Sequence, residues 1–298
     1  MIRFGVAGYP PAYAKTPFGK DRLKVFEWLK TIGLDAFEAQ MTYGPRTSLE
    51  NCDTIRRLSQ EFDIKVSVHA SYYIVLTSSE EHKIRKSIDT LKRTFDLADR
   101  MGANVVVLHP GSYYASDPDK VFDTLTRNLH RFFQESGPSH IGLFLETAGK
   151  KGQLGSVEEI LQLARLQSGC YPCIDFGHVH ARTCGGLARP EAIDSLFCTM
   201  REYGAFTPKN RVHFHYTPID FGPQGEITHK ALEDVYPVNP QQDLFDPPAD
   251  IPRLYHPRYE RIIENLSRID IPFTVISETH NSQEQGALAL KSHYRNIL

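Results

Sequence analysis

Short apolar runs rich in Val, Ile and Phe alternate along the chain with stretches whose apolar residues recur every three or four positions. The runs predict strands at about 2–8, 35–40, 65–70, 104–110, 142–148, 172–177, 211–216 and 273–279. Between them, Ile84, Ile88, Leu91, Phe95 and Ala98 share one helix face, and Val121, Phe122, Leu125, Leu129 and Phe132 share another. Ser156-Val-Glu-Glu159 has the form of a capping box, in which the two side chains satisfy free N–H groups at a helix start. Strand and helix in strict alternation predict an α/β chain folded as a single (β/α)8 TIM barrel over residues 1–298, with a doubly wound sheet as the alternative. The stretch from Thr217 to Pro257, rich in Pro, Asp and Gly, is expected to be a long irregular loop after the seventh strand, a lid or binding loop over the rim.

The apolar runs end unusually. KVSVH closes on His69, NVVVLH on His109, GLFLE on Glu146, PCID on Asp175 with His178 three residues on, RVHFH on His215 and TVISE on Glu278. One histidine at a strand end is ordinary structural hydrogen bonding. Six strand ends carrying His, Asp or Glu imply that they converge, which favours the barrel, whose functional groups sit on the C-terminal rim. An unpaired carboxylate at the end of a buried strand is costly unless a cation accompanies it. These side chains are ligands of divalent zinc, manganese or iron. His213 shares the strand face of His215 one layer deeper and is expected to support it; His180 has weaker grounds for a role.

Charge and composition narrow the rest. Hydrophobic content of 41% and charged content of 23% describe a globular protein with a full core. No stretch approaches the roughly 18 consecutive apolar residues of a membrane helix. The opening MIRFGVAGYP lacks the pattern of a signal peptide, so a cytoplasmic location and a monomer are expected. A formal charge of −2 argues against nucleic-acid binding by diffuse basic charge, but bound divalent metals would add positive charge that a residue count misses. The five cysteines are odd in number and scattered, which argues against a disulfide framework, and the lone Cys170-x-x-Cys173 lacks a second pair for a zinc knuckle.

His69-Ala-Ser-Tyr, His109-Pro-Gly, Glu146-Thr-Ala-Gly, Asp175-x-x-His178, His215 and Glu278 resemble, in order and spacing, the endonuclease IV family of zinc-dependent apurinic/apyrimidinic endonucleases. The resemblance covers nearly the whole chain and implies a TIM barrel carrying three zinc ions. It implies that His69, His109 and Glu146 hold the first, that Glu146 bridges to a second held by Asp175, His215 and Glu278, and that His178 binds the third. The family's usual Asp-x-His after the seventh strand is absent; FGPQGEITH offers Glu226 and His229 instead. The loop after strand two, basic in the family, reads EAQMTYGPRT with Arg46 as its one cation. Tyr72 and Tyr73 stand where the family places residues wedged into damaged duplex.

The reaction so implied is hydrolysis of double-stranded DNA 5′ to an abasic deoxyribose, with Glu146 and Glu278 as the catalytic carboxylates, and Mn²⁺ or Fe²⁺ as alternatives to zinc at one or more sites. A metal-dependent sugar isomerase or epimerase on the same barrel is the rival reading, with Glu146 and Glu278 as its acid/base pair. A non-catalytic binder of damaged DNA is the third, opposed by the complete ligand set.

Overall fold

The computed structural model describes residues 2–114, 116–235 and 255–298. Eight parallel strands close on themselves: β1 (Ile2–Ala7), β2 (Ala36–Gln40), β3 (Lys65–His69), β4 (Val105–Leu108), β5 (Gly142–Glu146), β6 (Cys170–Asp175), β7 (Val212–Tyr216) and β8 (Phe273–Ser277). Each pairs with its sequence neighbours, and β8 returns to β1, with Ile2 opposite Phe273 and Val6 opposite Ser277. Closure removes every sheet edge. All eight strands lie where the alternation predicts them, with ends differing by at most two residues, so the barrel is the observed fold and the open sheet is not.

Closure also needs strands that approach closely. A Cβ at Gly5 would lie 2.0 Å from the Ala36 carbonyl oxygen, so β1 and β2 can meet only over a glycine. Long helices Glu81–Met101 and Pro118–Ser136 carry the predicted apolar faces and bury Ile84, Ile88 and Leu91, and Val121, Leu125 and Leu129. Ser156 and Glu159 exchange the hydrogen bonds of the capping box at the head of helix Val157–Leu166, with Ser156 Oγ accepting from the Glu159 N–H at 3.2 Å. None of the described helices is long and apolar enough to cross a membrane.

Two apolar compartments result from the alternation of side chains along a strand. The larger fills the space between strands and helices. The smaller comprises Val105, Val107, Phe144 and Cys173 with Tyr171 against them, and these share the inward strand face with the residues of the rim. The Arg211 guanidinium lies 5.1 Å from the ring centres of both Phe144 and Tyr171, so the lumen is filled as in other such barrels. It is a floor on which polar residues stand.

The region after β7 differs from the expected irregular loop. Ile219–Gly222 and Gly225–His229 form an antiparallel hairpin, with Ile219 opposite His229. Residues 236–254 of the expected lid lie outside the described residues.

Candidate metal centre

Six strand ends deliver the site. His69, Glu146 and Asp175 are the last residues of β3, β5 and β6, His215 is the penultimate residue of β7, and His109 and Glu278 directly follow β4 and β8. Glu146 stands at the middle, fully buried. Its Oε2 lies 3.1 Å from His69 Nε2 and 3.3 Å from His109 Nε2, while its Oε1 lies 3.0 Å from His215 Nδ1. His215 Nδ1 is also 3.5 Å from Glu278 Oε1. Two sets of donors therefore share one carboxylate. His69, His109 and Glu146 form one, and Glu146, Asp175, His215 and Glu278 the other, each with donor atoms within 4.8 Å of one another.

The Asp-x-x-His spacing has a local cause. Asp175 caps the short helix Phe176–Arg182, its Oδ1 accepting the His178 N–H at 2.6 Å. One turn of helix then turns the His178 ring back over the rim. His178 Nδ1 donates to the Thr147 carbonyl at 2.9 Å, which leaves Nε2 as the free donor atom. That nitrogen lies 3.4 Å from His229 Nε2 and 3.9 Å from Glu226 Oε2. His178, Glu226 and His229 make a third set within 4.8 Å.

Glycines bring that third set together. The hairpin leans on the loop after β5, where the Glu226 N–H donates to the Gly149 carbonyl at 3.1 Å and the Lys151 N–H to that of Gln224 at 3.1 Å. Gly225 has φ +94°, and a Cβ there would lie 2.2 Å from the Gly149 oxygen; a Cβ on Gly149 would lie 2.7 Å from Glu226 Oε2. Neither position has room for another residue.

The electrostatics call for a cation. Among the described residues, the ion pairs of Asp175, Glu146, Glu226, Glu278 and Glu38 are all with histidines. Burial pushes the Glu146 carboxyl up, yet His109, His215 and His178 outweigh it and hold it well below the usual range. Burial pulls His69 down, but its hydrogen bond to Glu146 and that carboxylate's charge raise it to about 9. Burial pulls His109 down to about 3. Burial raises Glu278, and the neighbouring Glu146 adds to the rise. Asp175 Oδ2 and His109 Nδ1 are buried with no partner. Nitrogen and oxygen donors with a spare buried carboxylate oxygen fit a divalent cation. Cys173 Sγ also comes within 4.8 Å of the Glu146 and His215 donors, but burial pushes its thiol up and keeps it protonated.

One buried polar residue escaped the sequence. Glu38 on β2 is fully buried and accepts from Ser67 Oγ at 2.9 Å, His213 Nε2 at 3.0 Å and His215 Nε2 at 3.2 Å. In DAFEAQ it reads as a polar position of an alternating strand, with nothing to separate it from a solvated one. His213, expected to support His215, reaches it through this carboxylate. His180 lies apart: its Nδ1 accepts the Leu187 N–H at 3.1 Å, and burial lowers its pKa to about 4.

Tyr72 and Tyr73 are 59% and 68% exposed just beyond His69. Three single tyrosines that no motif singled out join them on neighbouring loops, Tyr9, Tyr43 and Tyr114. A groove of about 770 Å³ is lined by Tyr9, Arg22, Tyr43 and Arg46, and one of about 710 Å³ by Tyr73, Tyr114, Lys83, Lys86 and Lys120. Cations absent from the loop after β2 thus enter from neighbouring segments.

A family model described as the xylose isomerase-like TIM barrel matches residues 26–288. An uncharacterized protein of Methanocaldococcus jannaschii is 27% identical over 295 residues, covering 98% of this chain and 97% of that one. A probable endonuclease 4 of Nitratidesulfovibrio vulgaris is 29% identical over 136 residues, 44% of this chain and 48% of its own, so the match spans about half of that relative's length. Among solved structures, endonuclease IV from Thermus thermophilus has a TM-score of 0.63 at 19% identity, covering 99% of this chain and 100% of that one. D-Psicose 3-epimerase from Clostridium cellulolyticum, solved with D-tagatose, has a TM-score of 0.65 at 12% identity, covering 99% of each chain. At such identities both structures speak for a common fold and not for a common reaction.

Proposed function

The chain belongs to the xylose isomerase-like TIM barrel family, and from that premise we propose that it is a metal-dependent endonuclease that cleaves double-stranded DNA 5′ to abasic sites, leaving a 3′-hydroxyl. The observation that carries this reading is the set of three donor groups on one rim, two of them joined by Glu146, beside an exposed tyrosine pair. In it, His69, His109 and Glu146 would hold one zinc ion, Glu146, Asp175, His215 and Glu278 a second, and His178, Glu226 and His229 a third, with Mn²⁺ or Fe²⁺ as alternatives. When bound, such cations supply a nucleophilic water near neutral pH and offset the charge that builds on phosphate. Glu146 fixes the spacing of two ligand sets. Glu278, with Glu146, offsets part of the cations' charge and orients the attacking water. Tyr72 and Tyr73 stack against bases at the lesion and hold the duplex open, and the protein works as a monomer.

The epimerase reading keeps one specific support. Glu146 and Glu278 face one site with shifts in opposite directions, which is how an acid and a base are told apart. The test is cleavage of a duplex carrying one abasic site by protein of measured metal content. Three equivalents of metal and a 5′ incision are expected, and Glu146→Gln should lose more than about tenfold of the activity while staying folded. Alanine at both Tyr72 and Tyr73 should weaken abasic-duplex binding at least tenfold without loss of stability, since stacking contributes about 1–3 kcal/mol per base. A wild type that neither binds such a duplex at low salt nor cuts it, yet epimerises a ketose, would overturn the nuclease reading.

A further inference from the structure

The lumen layer beneath the candidate metal centre contains a carboxylate outside the three rim sets, Glu38, whose oxygens lie within 4.8 Å of donor atoms of His213 and His215. Glu38 is far from β7 along the sheet, with β1 and β8 between them, so its side chain meets those of His213 and His215 across the lumen. Both of its oxygens are engaged. Oε2 takes Ser67 Oγ at 2.9 Å and His213 Nε2 at 3.0 Å, Oε1 takes Gln40 Nε2 at 3.3 Å, and His215 Nε2 stands 3.2 Å from each. A carboxylate so surrounded only accepts, which makes both histidine Nε2 atoms donors. The other nitrogen of His215 points the opposite way, at Glu146 Oε1 3.0 Å off and Glu278 Oε1 3.5 Å off.

We propose that Glu38 is a positioning residue of the metal centre: by taking the Nε2–H of His215 it fixes that ring's tautomer and orientation, so that Nδ1 presents its lone pair to the cation held with Glu146, Asp175 and Glu278. The inference rests on that donor set holding a divalent cation. Its physical basis is general. An imidazole has two nitrogens, and the hydrogen bond made by one decides which is left to bind a metal. Glu38 is well placed for this because His215 stands between it and Glu146, one ring nitrogen facing each carboxylate. Ser67 and His213 hold the carboxylate in turn, and the T-shaped contact of His213 with Phe144, centroids 5.9 Å apart, ties this layer to the apolar floor.

The experiment is a zinc competition titration against a chromophoric chelator on wild type and Glu38→Gln, with folding followed by circular dichroism. The amide keeps the shape but offers one acceptor where two imidazoles donate. One zinc equivalent should weaken by about 10–100-fold and the others far less. Nitrogen-15 spectra of the zinc-loaded wild type, diamagnetic and therefore readable, supply a readout that needs no variant. His215 should carry its proton on Nε2 with Nδ1 coordinated. A proton on Nδ1, or a folded Glu38→Gln that binds every equivalent as the wild type does, would overturn the proposal. A wild type that binds no stoichiometric zinc would instead overturn the metal reading on which it rests, so the two failures are distinguishable.

Discussion

Asp175 does two things with two oxygens. Oδ1 caps the helix that carries His178, and Oδ2 is buried without a partner, beside Glu146, His215 and Glu278. Substitution can separate the roles. Asn caps a helix about as well as Asp, so Asp175→Asn should keep the fold while losing the charge, and with it roughly 10–100-fold in metal affinity. Asp175→Ala should lose the cap as well, at a further cost of about 1 kcal/mol in denaturant unfolding. Equal stability of the two variants would exclude the cap, and zinc affinity equal to that of the wild type would exclude the ligand. At this scale the sequence is readable where a polar residue interrupts an apolar run, as at His69, His109 and Glu278. It is silent where the polar residue falls in step with the strand's alternation, as Glu38 does, and where single tyrosines such as Tyr9, Tyr43 and Tyr114 meet only through the closure of the barrel.

Elements were legible to the extent that one period governed them. Each strand is short, apolar and bounded by turns, and each long helix keeps a continuous face. The region after β7 was harder to read, because its hairpin has strands of four and five residues around the turn Gly222-Pro-Gln-Gly225 and no apolar face of its own. It owes its place to the loop after β5 and to the helix Phe176–Arg182, where Phe221 meets the His180 ring edge-on at 5.2 Å. That dependence can be measured. In Gly225→Ala a Cβ meets the Gly149 oxygen in a backbone conformation that suits glycine, so the hairpin must shift. The His178, Glu226 and His229 set should open and release its cation, while barrel unfolding changes by no more than about 1–3 kcal/mol. Retention of full zinc content by this variant would place the third cation elsewhere.

For the whole molecule, the question is what balances five converging carboxylates. Without metal, histidine protons do so, and His69 is the clearest instance, raised to about 9. Zinc must displace that proton, because only the neutral ring ligates, so affinity rises with pH and falls as pH drops below about 9, by up to about tenfold per unit for each proton displaced. Calorimetry at pH 7 in buffers of differing ionisation enthalpy should report proton release on loading, and chelation should lower Tm until zinc is restored, by about 2.7 kcal/mol of stability per site at a hundredfold excess over Kd. Zinc affinity that stays flat between pH 6 and pH 8 would mean that these histidines are not the ligands. The barrel itself was legible from alternation and rim chemistry together, whereas a net charge of −2 conceals the carboxylates and histidines that converge on one rim.

The hairpin's attachment also bears on how such a site can change over generations. Glu146 serves two donor sets from within a strand, so any replacement there alters both at once, and neither can drift alone. Glu226 and His229 stand outside the strands of the barrel, on a hairpin held by backbone hydrogen bonds, by buried Ile219 and by Phe221 packed on His180. His178, the third member of their set, is tied to Asp175 through the helix cap. Glu226 and His229 can be exchanged, respaced or retuned for another cation or substrate while the strand-borne sets stay as they are, and it is there that this chain departs from the Asp-x-His pattern of the family it resembles.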